Sequence, residues 1–187
     1  LFEALVRIIV ENPDTTGSIA SLSVTKFVCC DIHFGSFFGF EGDIFRLFFE
    51  SEKAEAHGHF ALLLQTVIEL TELDNEAAGN VVLRIRDIIQ SGSNDYLSSQ
   101  LLSLLNKVIE HTEIMTAGPE QVALIFELLT GFTENAATKR VAYSVWCDIV
   151  NDYYPLIEGV YEPLMQASLA DIVAEGQDVN IVNIILD

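Results

Sequence analysis

Hydrophobic positions recur along the chain in short runs, each interrupted by one charged residue and followed by a polar residue or glycine. Five such runs align on the charged residue, at 5–12, 44–51, 85–92, 125–132 and 169–176. The aligned residues are Arg7, Arg46, Arg86, Glu127 and Asp171, and their successive spacings are 39, 40, 41 and 44 residues. Recurrence at a nearly constant spacing is typical of a repeat protein.

A second series of apolar runs lies between the first ones and has the same period. Its runs are at 27–32, 65–70, 103–108, 144–149 and 183–187. The polar residues that align in them are Asp31, Glu69, Lys107, Asp148 and Asp187, with successive spacings of 38, 38, 41 and 39 residues. Two interleaved series with one period indicate a repeating unit made of two elements.

Both series predict helices. Apolar residues in one run follow the 3.6-residue helical period, at Leu97, Leu101, Leu104, Leu105, Val108 and Ile109. Short polar links that are typical of helix ends separate the elements, at 12–14, 91–95, 133–135 and 175–178. Pro119 and Pro163 lie near the predicted starts of first-series helices, where the missing N–H has no intrahelical partner to lose.

Helix, short turn and helix at this period is the pattern of HEAT repeats. One helix pair cannot bury its apolar face alone, so neighbouring pairs must stack. We therefore expect an all-α fold, an α-solenoid of about five HEAT-like antiparallel helix pairs, with the second helices on the concave side. The predicted units are about 1–36, 41–74, 76–112, 117–154 and 159–187. Both chain ends fall inside apolar patterns, which predicts a fragment of a longer solenoid.

The segment 33–60 fits this pattern least well. Gly35, Gly39 and Gly42 are expected to interrupt helix there, and nine of the twelve phenylalanines lie within 27–60. One interpretation is an aromatic pocket or partner groove. The other, which we favour, is a locally thick core with a longer turn between helices.

The net charge narrows the kinds of partner, and the apolar and cysteine content bears on where in the cell the protein is expected. The net charge of −19 disfavours nucleic acid and anionic lipid, and lysine and arginine are sparse and scattered. Such acidity favours basic partners, but it is equally expected of a long solenoid that only needs to stay soluble. No apolar stretch is long enough to predict a membrane span. The three cysteines, including Cys29 and Cys30, form no disulfide framework, so we expect an intracellular protein.

No motif in the chain predicts catalysis, a cofactor or a metal. His57 and His59 beside Glu55 resemble a metal site only superficially, because residues two apart on a helix point in different directions. A solvated helix start is the interpretation we favour for them. An all-helical enzyme is the alternative to a binding protein, and it would need a concave pocket with convergent polar groups.

One junction between predicted units carries a family resemblance. The stretch 141–149, the sequence DYYPLIE at 152–158 and the sequence YEPL at 161–164 resemble the repeat junctions of importin-β-type nuclear transport receptors, or karyopherins. In that family a second helix often ends in a tyrosine pair, and the next first helix opens with a Tyr-x-Pro-like turn. The resemblance covers about residues 117–187 and is only architectural before them.

The resemblance implies a monomeric receptor that moves between cytoplasm and nucleus. Its implied partners are basic cargo proteins, the GTPase Ran and FG-repeat nucleoporins. The alternative is a HEAT-repeat scaffold or adaptor subunit of another complex, of the phosphatase regulatory, trafficking or chromosome-organising kind. Such a subunit would co-purify with fixed partners.

The predicted binding surface is the polar edge of the second helices on the concave side. Its residues are Asp31, Glu69, Lys107, Glu110, Asp148, Asn151, Asp152 and Asp187. An alternative role for these side chains is to hydrogen-bond neighbouring repeats to each other. Trp146 is expected to pack in the core between repeats rather than to be displayed.

Overall fold

Six α-helices account for most of the residues that the computed structural model describes, which are 41–51, 54–157, 165, 166, 170 and 173. They are α1 Glu41–Glu50, α2 Ala54–Leu70, α3 Asn75–Ser91, α4 Asp95–His111, α5 Pro119–Glu134 and α6 Lys139–Ile157, with a 3₁₀ turn at Ile114–Thr116. The all-α prediction is confirmed for these residues. The division into five repeat units stays a prediction, and unit 1–36 and nearly all of unit 159–187 lie outside the described residues.

Local side-chain chemistry explains where α3 and α4 begin. The Asp74 carboxylate accepts a 2.8 Å hydrogen bond from the backbone N–H of Ala77, and the Asn94 side chain accepts one of 2.9 Å from Leu97. Each bond satisfies a first-turn donor that has no partner within its helix. Gly92 follows the end of α3 with a φ of 108°, a backbone conformation that glycine adopts without steric cost. The predicted polar link at 91–95 is therefore confirmed.

The start of α5 and the link to α6 follow similar rules. Pro119 is the first residue of α5, as predicted from its missing N–H. In the next link the Asn135 side chain accepts a 2.8 Å hydrogen bond from the backbone N–H of Ala137. The buried Thr138 hydroxyl donates to the carbonyl of Phe132 at 2.7 Å, which closes the turn onto the end of α5.

Consecutive helices pack as neighbouring pairs, α1 with α2, α3 with α4 and α5 with α6. Helix α4 also packs along α2, α5 packs along α3, and α4 contacts α6. Helices α2 and α4 run parallel, because Gln65 donates to the Gln100 carbonyl at 3.1 Å while Glu69 meets Lys107 further along both helices. The hydrophobic core extends through all six helices, with Phe48, Phe60 and Tyr143 among its largest fully buried side chains.

Arg84 links α3 to the end of α1. Its Nη2 donates to the Ser51 carbonyl at 2.9 Å, and its Nε donates to the Phe48 carbonyl at 3.3 Å. His57 Nε2 lies 2.7 Å from the same Ser51 oxygen, so the ring donates to it as well. The Ser51 carbonyl, just after α1, therefore accepts hydrogen bonds from side chains of both α2 and α3.

Two expectations for the segment 33–60 are wrong. His57 is only 5% exposed, so it is a buried residue in α2 and not part of a solvated helix start. The Ser51 carbonyl accepts a hydrogen bond from Nε2, while Nδ1 is buried without a hydrogen-bond partner among the described residues. Gly42 lies inside α1 and does not interrupt a helix. Gly35 and Gly39 lie outside the described residues.

The aromatic side chains of the described segment belong to the core. Phe48 and Phe60 are fully buried, and Phe45 and Phe49 pack against the same core from its edge. The burial of these four phenylalanines agrees with the core part of the favoured interpretation, while the longer turn stays a prediction and the other five phenylalanines of 27–60 lie outside the described residues. Trp146 is also buried, as predicted, and its ring meets Tyr143 edge-on at a centroid distance of 6.3 Å.

Candidate functional site

Six of the eight predicted binding residues lie in the C-terminal halves of α2, α4 and α6. They are Glu69 on α2, Lys107 and Glu110 on α4, and Asp148, Asn151 and Asp152 on α6. The packing of α4 along α2 and against α6 brings these three helix ends to one edge of the protein. The remaining two, Asp31 and Asp187, lie outside the described residues.

Lys107 connects the carboxylates of two helices. Its Nζ lies 2.8 Å from Glu69 Oε1 on α2 and 3.1 Å from Glu110 Oε2 one turn further along α4. The hydrogen bond to Glu69 raises the pKa of Lys107 above its ordinary value. Desolvation by burial opposes this rise, and the contact with Glu110 adds to it. Glu69 and Lys107 thus bond neighbouring helices to each other, which was the alternative to partner binding for these side chains.

Four of the predicted residues line a single groove, which we call the α4–α6 groove. Glu110, Asp148, Asn151 and Asp152 form its polar wall, and its volume is about 410 Å³. Its apolar wall consists of Ile109, Val145 and Ile149. These three side chains are almost fully buried, so carboxylates and amides make up most of what the groove presents to a partner.

The acidic side chains of α6 are exposed. Asp148 and Asp152 form no ion pair or hydrogen bond through their side chains with any residue of the described part, and the same holds for Asn151. Glu110 is engaged, because it accepts a 2.6 Å hydrogen bond from Asn106 Nδ2 in addition to its contact with Lys107. Asp148 and Asp152 are therefore the carboxylates that remain open to a partner.

Sequence reasoning missed three residues of this edge. Asn106 and Tyr153 line the α4–α6 groove, and Glu113 joins Glu110 and Tyr153 around a neighbouring cavity of about 450 Å³ at the end of α4. Helical spacing contained a signal for two of them. Asn106 is four residues before Glu110 and Tyr153 is four residues after Ile149, so each pair shares a helix face.

Charge at this edge is predominantly negative. Glu110, Asp148 and Asp152 line the groove, and Glu113 follows just after α4, while Lys107 and His111 are the basic residues beside Glu110 on α4. His111 is the last residue of α4. Exposed carboxylates of this kind can bind a lysine or arginine side chain through charge-assisted hydrogen bonds.

Over the described ranges, no group of three or more histidine, cysteine, aspartate or glutamate side chains could hold a metal ion. Within those ranges, no helix is both long enough and apolar enough to span a membrane. No protein-family model, curated protein or solved structure matches the chain. Over the described residues the chain is all-helical, and its six helices there pack as neighbouring pairs.

Proposed function

We propose that this chain is a protein-binding helical-repeat scaffold, part of a karyopherin-like transport receptor, that binds basic segments of partner proteins at its acidic edge. The observation that carries this proposal is the convergence of Glu110, Asp148 and Asp152 on the α4–α6 groove. Two of these three carboxylates have no basic partner among the described residues, so an external cation is the group that would complement them.

Packing between the helix pairs supports the repeat architecture. Helix α4 runs beside α2, and α5 lies beside α3, so each pair meets the next through helices of the same kind. Arg84 makes the corresponding connection between α3 and the end of α1. This is the arrangement expected when each unit buries an apolar face that it cannot cover alone. A stack of pairs leaves one edge of each second helix open for binding.

Electrostatic magnitudes indicate what kind of binding to expect. An exposed ion pair contributes roughly 0.2–1 kcal/mol, so one carboxylate cannot hold a partner and several must act together. The net charge of −19 adds long-range attraction, which increases the association rate of a basic partner and weakens with salt. A Lys- or Arg-rich segment bound in a salt-dependent way is therefore the partner we propose.

Titration of a fluorescently labelled Lys/Arg-rich peptide with the full chain tests this proposal. We expect the double variant Asp148→Asn/Asp152→Asn to bind the peptide roughly five-fold or more weakly. The control Asp43→Asn/Glu50→Gln removes the same charge from α1, whose carboxylates line neither the α4–α6 groove nor the cavities between α3 and α5. Equal weakening by both variants would show that only overall charge matters. Unchanged binding of the first variant would also contradict the proposal, provided that its thermal unfolding is normal.

The transport-receptor assignment rests on the acidity, the repeat period and the resemblance at 141–164. The part of that junction beyond Ile157 lies outside the described residues. A pull-down with GTP-loaded Ran, compared with GDP-loaded Ran at moderate salt, separates the two candidate classes. Selective capture of the GTP form is expected. No binding by a folded chain would favour the alternative, a scaffold or adaptor subunit that co-purifies with fixed partners.

A further inference from the structure

Two adjoining cavities lie between α3 and α5, and none of their lining residues lines the α4–α6 groove. Their volumes are about 630 and 520 Å³, and both are bordered by Arg86 and Glu127. Together they form one elongated depression along the two helices, which we call the α3–α5 groove. It is a second candidate interaction surface, separate from the acidic edge.

The α3–α5 groove has apolar surface at two points along its length. Val82, Leu83 and Leu124 line the first cavity, and Leu83 is 39% exposed although it is a large hydrophobic residue. Ile89, Leu128 and Phe132 line the second cavity. An exposed leucine at the rim of an apolar depression is better covered by a partner than by water. The groove therefore offers two separate places for apolar side chains.

The rim of the groove is acidic. Its cavities are lined by the carboxylates Glu76, Glu120, Glu127 and Glu134. Arg86 is the one basic residue lining the two cavities, and its Nε and Nη2 both donate to Asp87 Oδ1, at 3.3 and 3.1 Å. That guanidinium is neutralised locally, so the rim as a whole attracts positive charge. Charge complementarity calls for a partner with lysine or arginine beside its apolar residues.

The spacing of the two apolar points suits a helix. On α3 the large apolar lining residues are Val82 and Leu83 in the first cavity and Ile89 in the second, which at 1.5 Å rise per residue places the two points roughly 9–11 Å apart. Two turns of an α-helix span about 11 Å, so side chains seven or eight residues apart reach both points. A helix also satisfies its own backbone hydrogen bonds, whereas α3 and α5 have few free backbone groups for an extended segment.

We propose that the α3–α5 groove binds a basic amphipathic helix of a partner protein, with two apolar side chains two turns apart inserted into the two cavities. Lysine or arginine residues beside them face Glu76, Glu120, Glu127 and Glu134. This surface goes beyond the acidic edge of the proposed function, because the apolar anchors supply affinity and the charges supply orientation. The two surfaces can therefore be tested independently.

A designed helical peptide of about 15 residues is the probe, with leucines at positions i and i+7 and lysines around them. Binding to the full chain is measured by fluorescence anisotropy, and helix formation by circular dichroism. We expect Leu83→Arg to weaken binding at least ten-fold, because it removes an apolar contact and adds a like charge. The matched control is Val141→Arg on α6, since Val141 is also an exposed hydrophobic residue, at 49%. That variant should bind within two-fold of the original chain.

Three outcomes would overturn the inference. The first is equal loss of binding in Leu83→Arg and Val141→Arg, with both variants folded. The second is unchanged binding of a peptide with proline in its centre, which would indicate an extended ligand. The third is loss of binding in Asp148→Asn/Asp152→Asn but not in Leu83→Arg, which would place the peptide in the α4–α6 groove. That last result contradicts this inference and leaves the proposed function intact.

Discussion

Lys107 on α4 lies 2.8 Å from Glu69 on α2, although the two residues are far apart in sequence. The same ammonium contacts Glu110 at 3.1 Å, so one lysine forms ion pairs with carboxylates from two neighbouring helices. The lysine side chain is 29% exposed and that of Glu69 38%, which keeps the contribution of the pair to stability modest. Its larger effect is on the charge that the edge presents to a partner.

Replacing Lys107 by methionine is expected to strengthen binding of a basic peptide. The change frees Glu69 and Glu110 and makes the edge more negative by one charge, so the peptide should bind roughly two- to five-fold more tightly. The free energy of unfolding should fall by less than about 1 kcal/mol. Arg140→Met removes the same charge at the start of α6 and is the control. Weaker peptide binding by the Lys107 variant would contradict the proposed site.

Removing the Arg84 side chain should destabilise the contact between α3 and the end of α1. We expect Arg84→Met to lower the free energy of unfolding by about 1–3 kcal/mol, because hydrogen bonds from a charged donor to the Phe48 and Ser51 carbonyls are lost. Arg86→Met is the matched control. Among the described residues its guanidinium bonds only to the adjacent Asp87, so the loss should stay below about 0.5 kcal/mol. Urea unfolding measures both, and equal losses would show that the Arg84 contacts contribute little.

Gly58 lies so close to the Tyr96 ring that the effect of Gly58→Ala on stability should depend on whether Tyr96 is present. A Cβ added at Gly58 would lie 2.7 Å from the Tyr96 ring, so the ring must shift to admit it. In a Tyr96→Ala background that obstacle is absent, and Gly58→Ala should stabilise α2 by about 0.5–1 kcal/mol through helix propensity. In the chain that retains Tyr96, the gain in unfolding free energy from Gly58→Ala should be smaller or should become a loss. A double-mutant cycle of unfolding free energies measures the difference, and additive effects would refute the contact.

His59 should make stability depend on pH. Burial lowers the pKa of His59, so the folded protein binds this proton less readily than the unfolded chain. Stability from this residue is therefore present above its ordinary pKa of 6.5 and is lost as the pH falls through the folded-state value. Denaturant unfolding between about pH 7.5 and pH 5 should show a smaller decline for His59→Gln than for the original chain. His111→Gln, in the exposed last turn of α4, should retain the decline that His59 causes. Equal slopes for His59→Gln and the original chain would contradict this assignment.

Helix positions could be predicted from the sequence because the interactions that set them are local. Asp74 and Asn94 each cap a helix through a residue three positions away, and Pro119 starts α5 because of its own covalent structure. The 3.6-residue apolar period likewise predicted the burial of Leu101 and Leu105. None of these signals depends on where another helix lies.

The candidate site was predicted in part, because periodicity shows which residues share a helix face but not what that face meets. It placed Asp148 and Asp152 on one edge of α6, and the structure adds that α4 supplies Asn106 and Glu110 to the same groove. The α3–α5 groove had no signal in the sequence at all. It exists because two helices about 40 residues apart leave a gap between their side chains.

The sequence by itself thus determined that the described chain is helical, that turns fall near 91–95 and 133–135, and which residues share a polar helix face. Only the tertiary structure decided that Lys107 joins Glu69, that His57 is buried, and that Asp148 and Asp152 stay open. The physical reason is the range of the forces involved. Caps and helical periods act within one or two turns, whereas burial and pairing depend on helix placement that local sequence does not encode.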